Sequence, residues 1–367
     1  MEPGAAMAAP SSSPAQTSSW RLRIFTLLAL CLVDGTYTVL RRYSRGVLME
    51  TYSFNEVLLV AEFLKLAVAV HMIRGSMMKE RIEEPLSKRL VELIMKSRKM
   101  LVLALLYGAG NSLSYVALRR IGAGTFVIIA QTKTLATALF SSLILRRQYS
   151  WPKWRALILL VAGVVLFVLP TIDEGPIDQN SNDYETMLGI LLEIVVVMIS
   201  GFCSIYFEKV IKSDHEQIGI WERNFQLACW SIPSYLMLIQ LREPRPDGYF
   251  ANWTPLAIVL SLFGCSGGLL VALTIKYGDS VLKTLAISGS IIYAALFDQA
   301  FLGGPLTFEM GVSASVVIIA ICNYTFDLSP DSATKWPSSA GPSTSTATIQ
   351  SGEAGMNTST TKKHENY

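Results

Sequence analysis

Charge is what this sequence has least of. Asp, Glu, Lys and Arg make up 16% of its 367 residues, against about a quarter of an ordinary soluble chain. The three histidines, His71, His215 and His364, stand far apart and form no ligand set. Each of the five cysteines (Cys31, Cys203, Cys229, Cys265, Cys322) lies in an apolar run, with no paired spacing and no CxxC, so they read as small hydrophobes. No disulfide framework, metal site or other cofactor follows. A net charge of +3 is too small to argue for a nucleic-acid partner. The first twenty residues, rich in Ser, Pro and Ala, have no basic stretch ahead of the first apolar run, which is long. That run reads as an uncleaved anchor, not a signal peptide.

Hydrophobic residues fill the gap, at 51% with a mean hydropathy of +0.41. This is the composition of a polytopic membrane protein whose surroundings are the lipid bilayer. Ten runs are long enough to span, at about 22–40, 55–73, 100–118, 123–145, 152–170, 186–207, 219–240, 254–275, 279–302 and 306–325. An even number puts both termini on one side. If that side is the cytosol, 21 Lys and Arg fall there, seven fall on the far side and three (Lys65, Lys133, Arg223) fall inside spans. The bias supports cytosolic termini, although Arg41, Arg42 and Arg45 run against it. The loop between the fifth and sixth spans is acidic (Asp173, Glu174, Asp178, Asp183, Glu185).

The organising stretch is Gln131-Thr132-Lys133-Thr134-Leu135-Ala136 in the fourth run, where Lys133 is the one charge between Ala123 and Leu145. At 1.5 Å per residue it lies about 15 Å from either end, near the bilayer midplane. A cation at that depth costs a few kcal/mol or more unless it faces a cavity, a counter-ion or a ligand. The tetrapeptide returns 150 positions later as Lys283-Thr284-Leu285-Ala286, and Val116-Ala117-Leu118 returns as Val271-Ala272-Leu273. Five spans per half is an odd number, so a duplicated half inserts upside down. The expected fold is therefore an all-α membrane protein of ten helices in two inverted five-helix repeats, about 21–170 and 186–325. Residues 1–20 and 326–367 are expected to be disordered cytosolic tails. Such repeats place an anionic ligand's site at the midplane between the halves.

Several residues are candidates for that site. Lys133 shares a helical face with Phe126, Ala130 and Thr137, which together offer a cation, a hydroxyl and an aromatic platform to a phosphate and its nucleoside. A lysine paired with a buried carboxylate is the alternative. Lys283, beside Ser290, either meets the same ligand or snorkels to the cytosolic interface. Tyr107, Asn111 and Ser114 form a polar stripe that can bond a ribose or base edge, or only a neighbouring helix. Asn224 offers a donor and an acceptor, while Arg223 beside it can equally mark the interface. Glu62 and Lys65 read first as an internal ion pair. Asp34, Glu193 and Asp298 are lone acids that either relay protons or partner Lys65, Lys133 or Arg223. The sequon Asn252-Trp253-Thr254 abuts the membrane and Pro255, which disfavours glycosylation.

The segments Tyr206-Phe207-Glu208-Lys209-Val210, Trp221 with Arg223-Asn224-Phe225-Gln226-Leu227, Gln131-Thr132-Lys133, Gly267-Gly268-Leu269-Leu270-Val271-Ala272 and Lys276-Tyr277-Gly278-Asp279-Ser280-Val281-Leu282-Lys283 resemble the nucleotide-sugar transporters. The similarity is to the CMP-sialic acid, UDP-galactose and UDP-N-acetylglucosamine branch. Arg42-Tyr43-Ser44-Arg45 and Ala61-Glu62 with Lys65 fit the same branch, so the likeness covers about residues 20–325.

The resemblance implies a Golgi or ER homodimer that exchanges a cytosolic nucleotide sugar for a luminal nucleoside monophosphate and is not an enzyme. It implies that Lys133 contacts phosphate, that Lys283 lines the nucleotide site, and that Tyr107, Asn111 and Asn224 are site residues. Phe126, Ala228 and Ala272 match the UDP-galactose branch better than the CMP-sialic acid carriers. UDP-galactose or a UDP-N-acetylhexosamine against UMP is thus the favoured pair, with CMP-sialic acid and a proton-coupled metabolite carrier as alternatives. Lys362 and Lys363 lie too far from the end for a dilysine retrieval signal, which favours the Golgi. A membrane-embedded transferase would need an acidic catalytic cluster, and the acidic loop contains no DxD.

Overall fold

The computed structural model describes residues 14–81, 83–172, 183–213, 218–242 and 248–326. Asp173, Glu174, Asp178, His215 and everything from Asp327 onward lie outside the described residues. Within them the chain is helical and has no strand. Lipid offers backbone groups no hydrogen-bond partners, so each segment must satisfy its own amides, and a helix does so locally.

The helices are α1 (Pro14–Arg42), α2 (Phe54–Lys79), α3 (Leu86–Met95), α4 (Arg98–Leu118), α5 (Ala123–Gln131), α6 (Lys133–Ile144), α7 (Trp151–Val168), α8 (Asp183–Ser213), α9 (Ile220–Arg242), α10 (Pro255–Tyr277), α11 (Ser280–Leu302) and α12 (Phe308–Thr325). Among the described residues, eight helical stretches are long and apolar enough to cross a membrane, counting α5 and α6 as one. The two others of similar length are α2, which carries Glu56, Glu62, Lys65 and Arg74, and α9, which is rich in amide and hydroxyl side chains. Large apolar side chains point outward, Phe301 and Phe308 being 72% and 88% exposed, as a lipid-facing surface requires.

Two features depart from the expectation. Helix α1 starts at Pro14, ahead of the 22 read from hydropathy. A separate helix, α3, occupies the basic 74–99 stretch, where no element was expected. It is amphipathic, and its Leu93 is buried against α2 and α9 together with Ala69, Ile73 and Phe225. Ten residues are too few for a periodic pattern to stand out between two apolar runs.

Side-chain caps fix several starts. Ser53, Thr254, Asp279 and Thr307 accept from Glu56, Ala257, Leu282 and Met310 N–H respectively, and each satisfies a donor the first turn leaves open. Helix α11 ends at Gly303 in the left-handed conformation, φ 66°.

Packing follows a definite plan. Helix α1 lies against α10 and α11, and α8 lies against α4, α5 and α6. Helix α2 meets α9 and α10, α9 meets α2 and α4, and α7 pairs with α12. Between apolar helices in lipid there is little hydrophobic drive, so close backbone approach matters more. Gly35 of α1 supplies it against α11, where a Cβ would come within 2.4 Å of Tyr293 Cδ1 and 2.9 Å of the Ser290 carbonyl oxygen. Gly201 of α8 does the same against α6, with a Cβ about 3.0 Å from the Ala136 backbone.

Candidate functional site

The site is built around a break in a helix. At Thr132 the amide bonds the Ile129 carbonyl at 3.0 Å, three residues back, and the hydroxyl donates to the same carbonyl at 2.6 Å. The helix tightens, stops and restarts at Lys133, so the expected continuous face from Phe126 to Thr137 is split between α5 and α6. Nothing in the local sequence is a helix breaker. The hydroxyl's bond to a carbonyl accompanies the break without being enough to cause it, since Thr284 and Ser290 make the same bond inside unbroken α11.

Lys133 is half-buried, and among the described residues its ammonium makes no hydrogen bond and no ion pair. The charges that act on it are those of Asp34 on α1 and Glu193 on α8. Neither carboxylate is within ion-pair distance, so it is not a lysine locked into a structural pair. Thr137 is buried, and its hydroxyl donates back to the Lys133 carbonyl at 2.7 Å. Phe126 lies half-buried on α5.

Lys283 differs. It stands in the first turn of α11, is 9% exposed, and donates to Ser204 Oγ on α8 at 2.7 Å. Snorkelling to the interface is therefore not what it does. Lys133 is among the charges acting on it, which puts the two repeated lysines in one electrostatic neighbourhood. Ser290, farther along α11, is buried, with its hydroxyl 2.6 Å from Asp34 Oδ2 and 2.7 Å from the Ile287 carbonyl. Tyr107 on α4 is near Cys203 and Tyr235. Asn111, one turn on, is exposed and makes no side-chain hydrogen bond among the described residues. Ser114 completes the stripe beside Glu193.

Asn224 is buried and donates to the Ile220 carbonyl of its own helix at 2.9 Å. Its neighbours have a structural role. Arg223 is fully buried and donates to Gln226 at 2.8 Å, Gln226 donates to the Leu93 carbonyl at 2.7 Å, and Glu222 receives Arg89 of α3. The polar start of α9 thus holds α3 down, and Arg223 does not mark the interface.

Two polar clusters were not foreseen. Glu208 on α8, with no exposed surface, accepts from Arg147 at 2.5 Å, from Lys212 at 2.8 Å and from the Ser280 amide at 2.9 Å. It joins the α6–α7 connection to the start of α11, and Lys212 also reaches the Gly278 carbonyl. Of this, only the four-residue spacing of Glu208 and Lys212 is visible in the sequence. Outside the membrane-spanning segments, the neighbouring Glu208 carboxylate helps hold the Arg147 guanidinium above its ordinary pKa against the opposing pull of burial. Asp298 pairs with Arg42 of α1, across 256 positions, and so is not a partner of any span lysine. Glu62 and Lys65 form the expected pair at 2.6 Å.

The family model for nucleotide-sugar transporters matches residues 18–325. The chain belongs to that family. Among relatives of this nucleotide-sugar transporter is a UDP-N-acetylglucosamine/UDP-N-acetylgalactosamine transporter of Caenorhabditis elegans, 29% identical over 84% of this chain and 95% of its own. The UDP-N-acetylglucosamine transporter of Rattus norvegicus is 29% identical over 85% and 98%. The UDP-galactose translocator of Homo sapiens is 29% identical over 94% and 84%. A solved crystal structure superposes with a TM-score of 0.59 at 14% identity, over 84% of this transporter and 97% of that chain, which shows a shared fold. The family consists of transporters, so the transferase alternative is set aside.

Proposed function

We propose that this protein is a Golgi-membrane antiporter, with the ER as the alternative compartment, that exchanges cytosolic UDP-galactose or UDP-N-acetylhexosamine for luminal UMP by alternating access. The observation that carries the reading is Lys133: a cation inside a span, at a helix break, in the electrostatic neighbourhood of Lys283, with no protein group bonded to it among the described residues. The UDP-sugar specificity of the relatives supports the nucleotide. On this reading α2 and α9 also span, which gives ten crossings in two inverted halves with cytosolic termini. The helix pairing supports that arrangement. Exchanging α1, α2, α4, α5/α6 and α7 with α8, α9, α10, α11 and α12 turns α1–α11 into α8–α6, α1–α10 into α8–α4 and α2–α10 into α9–α4, and all of these pairs occur.

In the mechanism, Lys133 and Lys283 hold the phosphates, while Tyr107, Asn111, Asn224 and Phe126 face the nucleoside. Thr137 and Ser290 support the lysines' surroundings. An occupied site lets the halves rock; the Glu208 cluster closes one end and must part when that end opens. A ligand drives such a change only through its differential affinity for the two states. The test is uptake of radiolabelled UDP-galactose or UDP-N-acetylglucosamine into proteoliposomes preloaded with UMP, CMP or nothing, with and without a pH gradient. Stimulation by internal UMP alone is expected. Uptake that follows the pH gradient and ignores internal UMP would make the protein a proton-coupled carrier, and stimulation by CMP would move it to the CMP-sialic acid branch.

A further inference from the structure

Glu193 is only partly satisfied by the protein around it. It lies on α8 at 2% exposure, and its Oε2 has no hydrogen-bond partner among the described residues. A buried carboxylate with an empty oxygen is costly unless a positive charge compensates it. The charge acting on it is that of Lys133, which itself has no bonded partner among the described residues. The two stand on α8 and at the α5–α6 break, elements that pack against each other, and they are outside ion-pair distance. Asp34, on α1, acts on Lys133 more strongly than Glu193 does, but its Oδ2 is already engaged by Ser290. Ser114 of α4 is the other polar neighbour of Glu193.

We propose that Glu193 is the resident counter-ion of Lys133 in the empty carrier, and that a nucleotide phosphate takes over this role when it binds. The inference rests on the phosphate reading of Lys133. Glu193 touches no substrate in this scheme; it positions and balances the cation. With the site empty, its charge makes a buried lysine tolerable. With the site loaded, two anions compete for one cation, and the carboxylate lowers affinity so that the nucleotide can leave. Asp34, tied to Ser290, is a constant background in both states.

The experiment uses the full chain in lipid nanodiscs, with thermal unfolding as the readout, for wild type, Glu193→Gln, Lys133→Met and the double variant, each with and without saturating UMP. In the absence of nucleotide, Glu193→Gln is expected to lower Tm by several degrees. Lys133→Met added to it should restore most of that loss, because the orphaned cation is gone. With UMP, Glu193→Gln should unfold near the wild-type temperature, and UMP titration should give a Kd several-fold tighter than wild type. Equal losses of Tm with and without UMP, no rescue by Lys133→Met, or an unchanged or weaker Kd would overturn the counter-ion role. If UMP shifts no variant, the proposed function fails, while the nucleotide-free arm still decides whether the two side chains are coupled.

Discussion

Lys133 and Lys283 begin the same tetrapeptide, yet the fold treats them differently. One stands where a helix breaks, half-buried and unbonded; the other stands at a helix start, almost fully buried and bonded to Ser204. The contrast extends to the helices around them. Gly35 and Gly201 make matched close approaches in the two halves. At the first of these contacts Ser290 and Asp34 satisfy each other, whereas Glu193 on α8 has a free oxygen. The repeated tetrapeptide supplies two matched lysines, and their surroundings make them unlike. A cation without a protein partner is available to a ligand, and one already bonded is a weaker but steadier contribution to the field.

The comparison breaks most sharply at Lys133. Lys133→Ala should reduce UDP-sugar uptake by about two to three orders of magnitude while the protein still elutes as a folded species, since removing one partner of a desolvated charge pair costs about 2–5 kcal/mol. Near-normal uptake would end the phosphate assignment. Glu208→Ala tests the closed end beside Lys283. It removes the carboxylate that Arg147 and Lys212 share, and a loss of about 3–5 kcal/mol is expected in denaturant unfolding. Lys283→Ala should weaken UMP binding by about tenfold, less than Lys133→Ala, because the ligand contact replaces an existing hydrogen bond. If the order of the two lysines is reversed in a binding assay, the contrast drawn between them is wrong.

Smaller effects sharpen the pairing of the halves. Gly35→Val and Gly201→Val should each cost about 1–3 kcal/mol in thermal unfolding through overpacking of α1 on α11 and of α8 on α6. A large cost at one glycine with none at the other would remove the symmetry argument. Ser204→Ala should change stability by only about 1 kcal/mol, and it should make Lys283 behave more like Lys133, visible as a modest gain in UMP affinity by calorimetry.

Much of this architecture was legible beforehand. Apolar runs, the central lysine and its repeat are local patterns, and lipid permits so few structures that helices follow directly. The break at Thr132 was not legible, because Gln131-Thr132-Lys133-Thr134 contains neither proline nor glycine. Nor could the sequence say which acid faces which cation. Asp298 lies closer along the chain to Lys283 yet pairs with Arg42, and Glu208 draws Arg147 from 61 positions away. Arg223 could have marked the interface, but it is buried and joined to the network that holds α3.

By itself the sequence determined a membrane protein of helices with a charge that hydrocarbon would reject, because helix length and transfer cost depend only on which residues follow one another. Tertiary structure decided which charges the protein itself bonds and which, among the described residues, it leaves without a bonded partner. That choice depends on distances of a few ångströms between helices far apart in the chain, and electrostatic energy in a low-dielectric interior changes steeply over such distances.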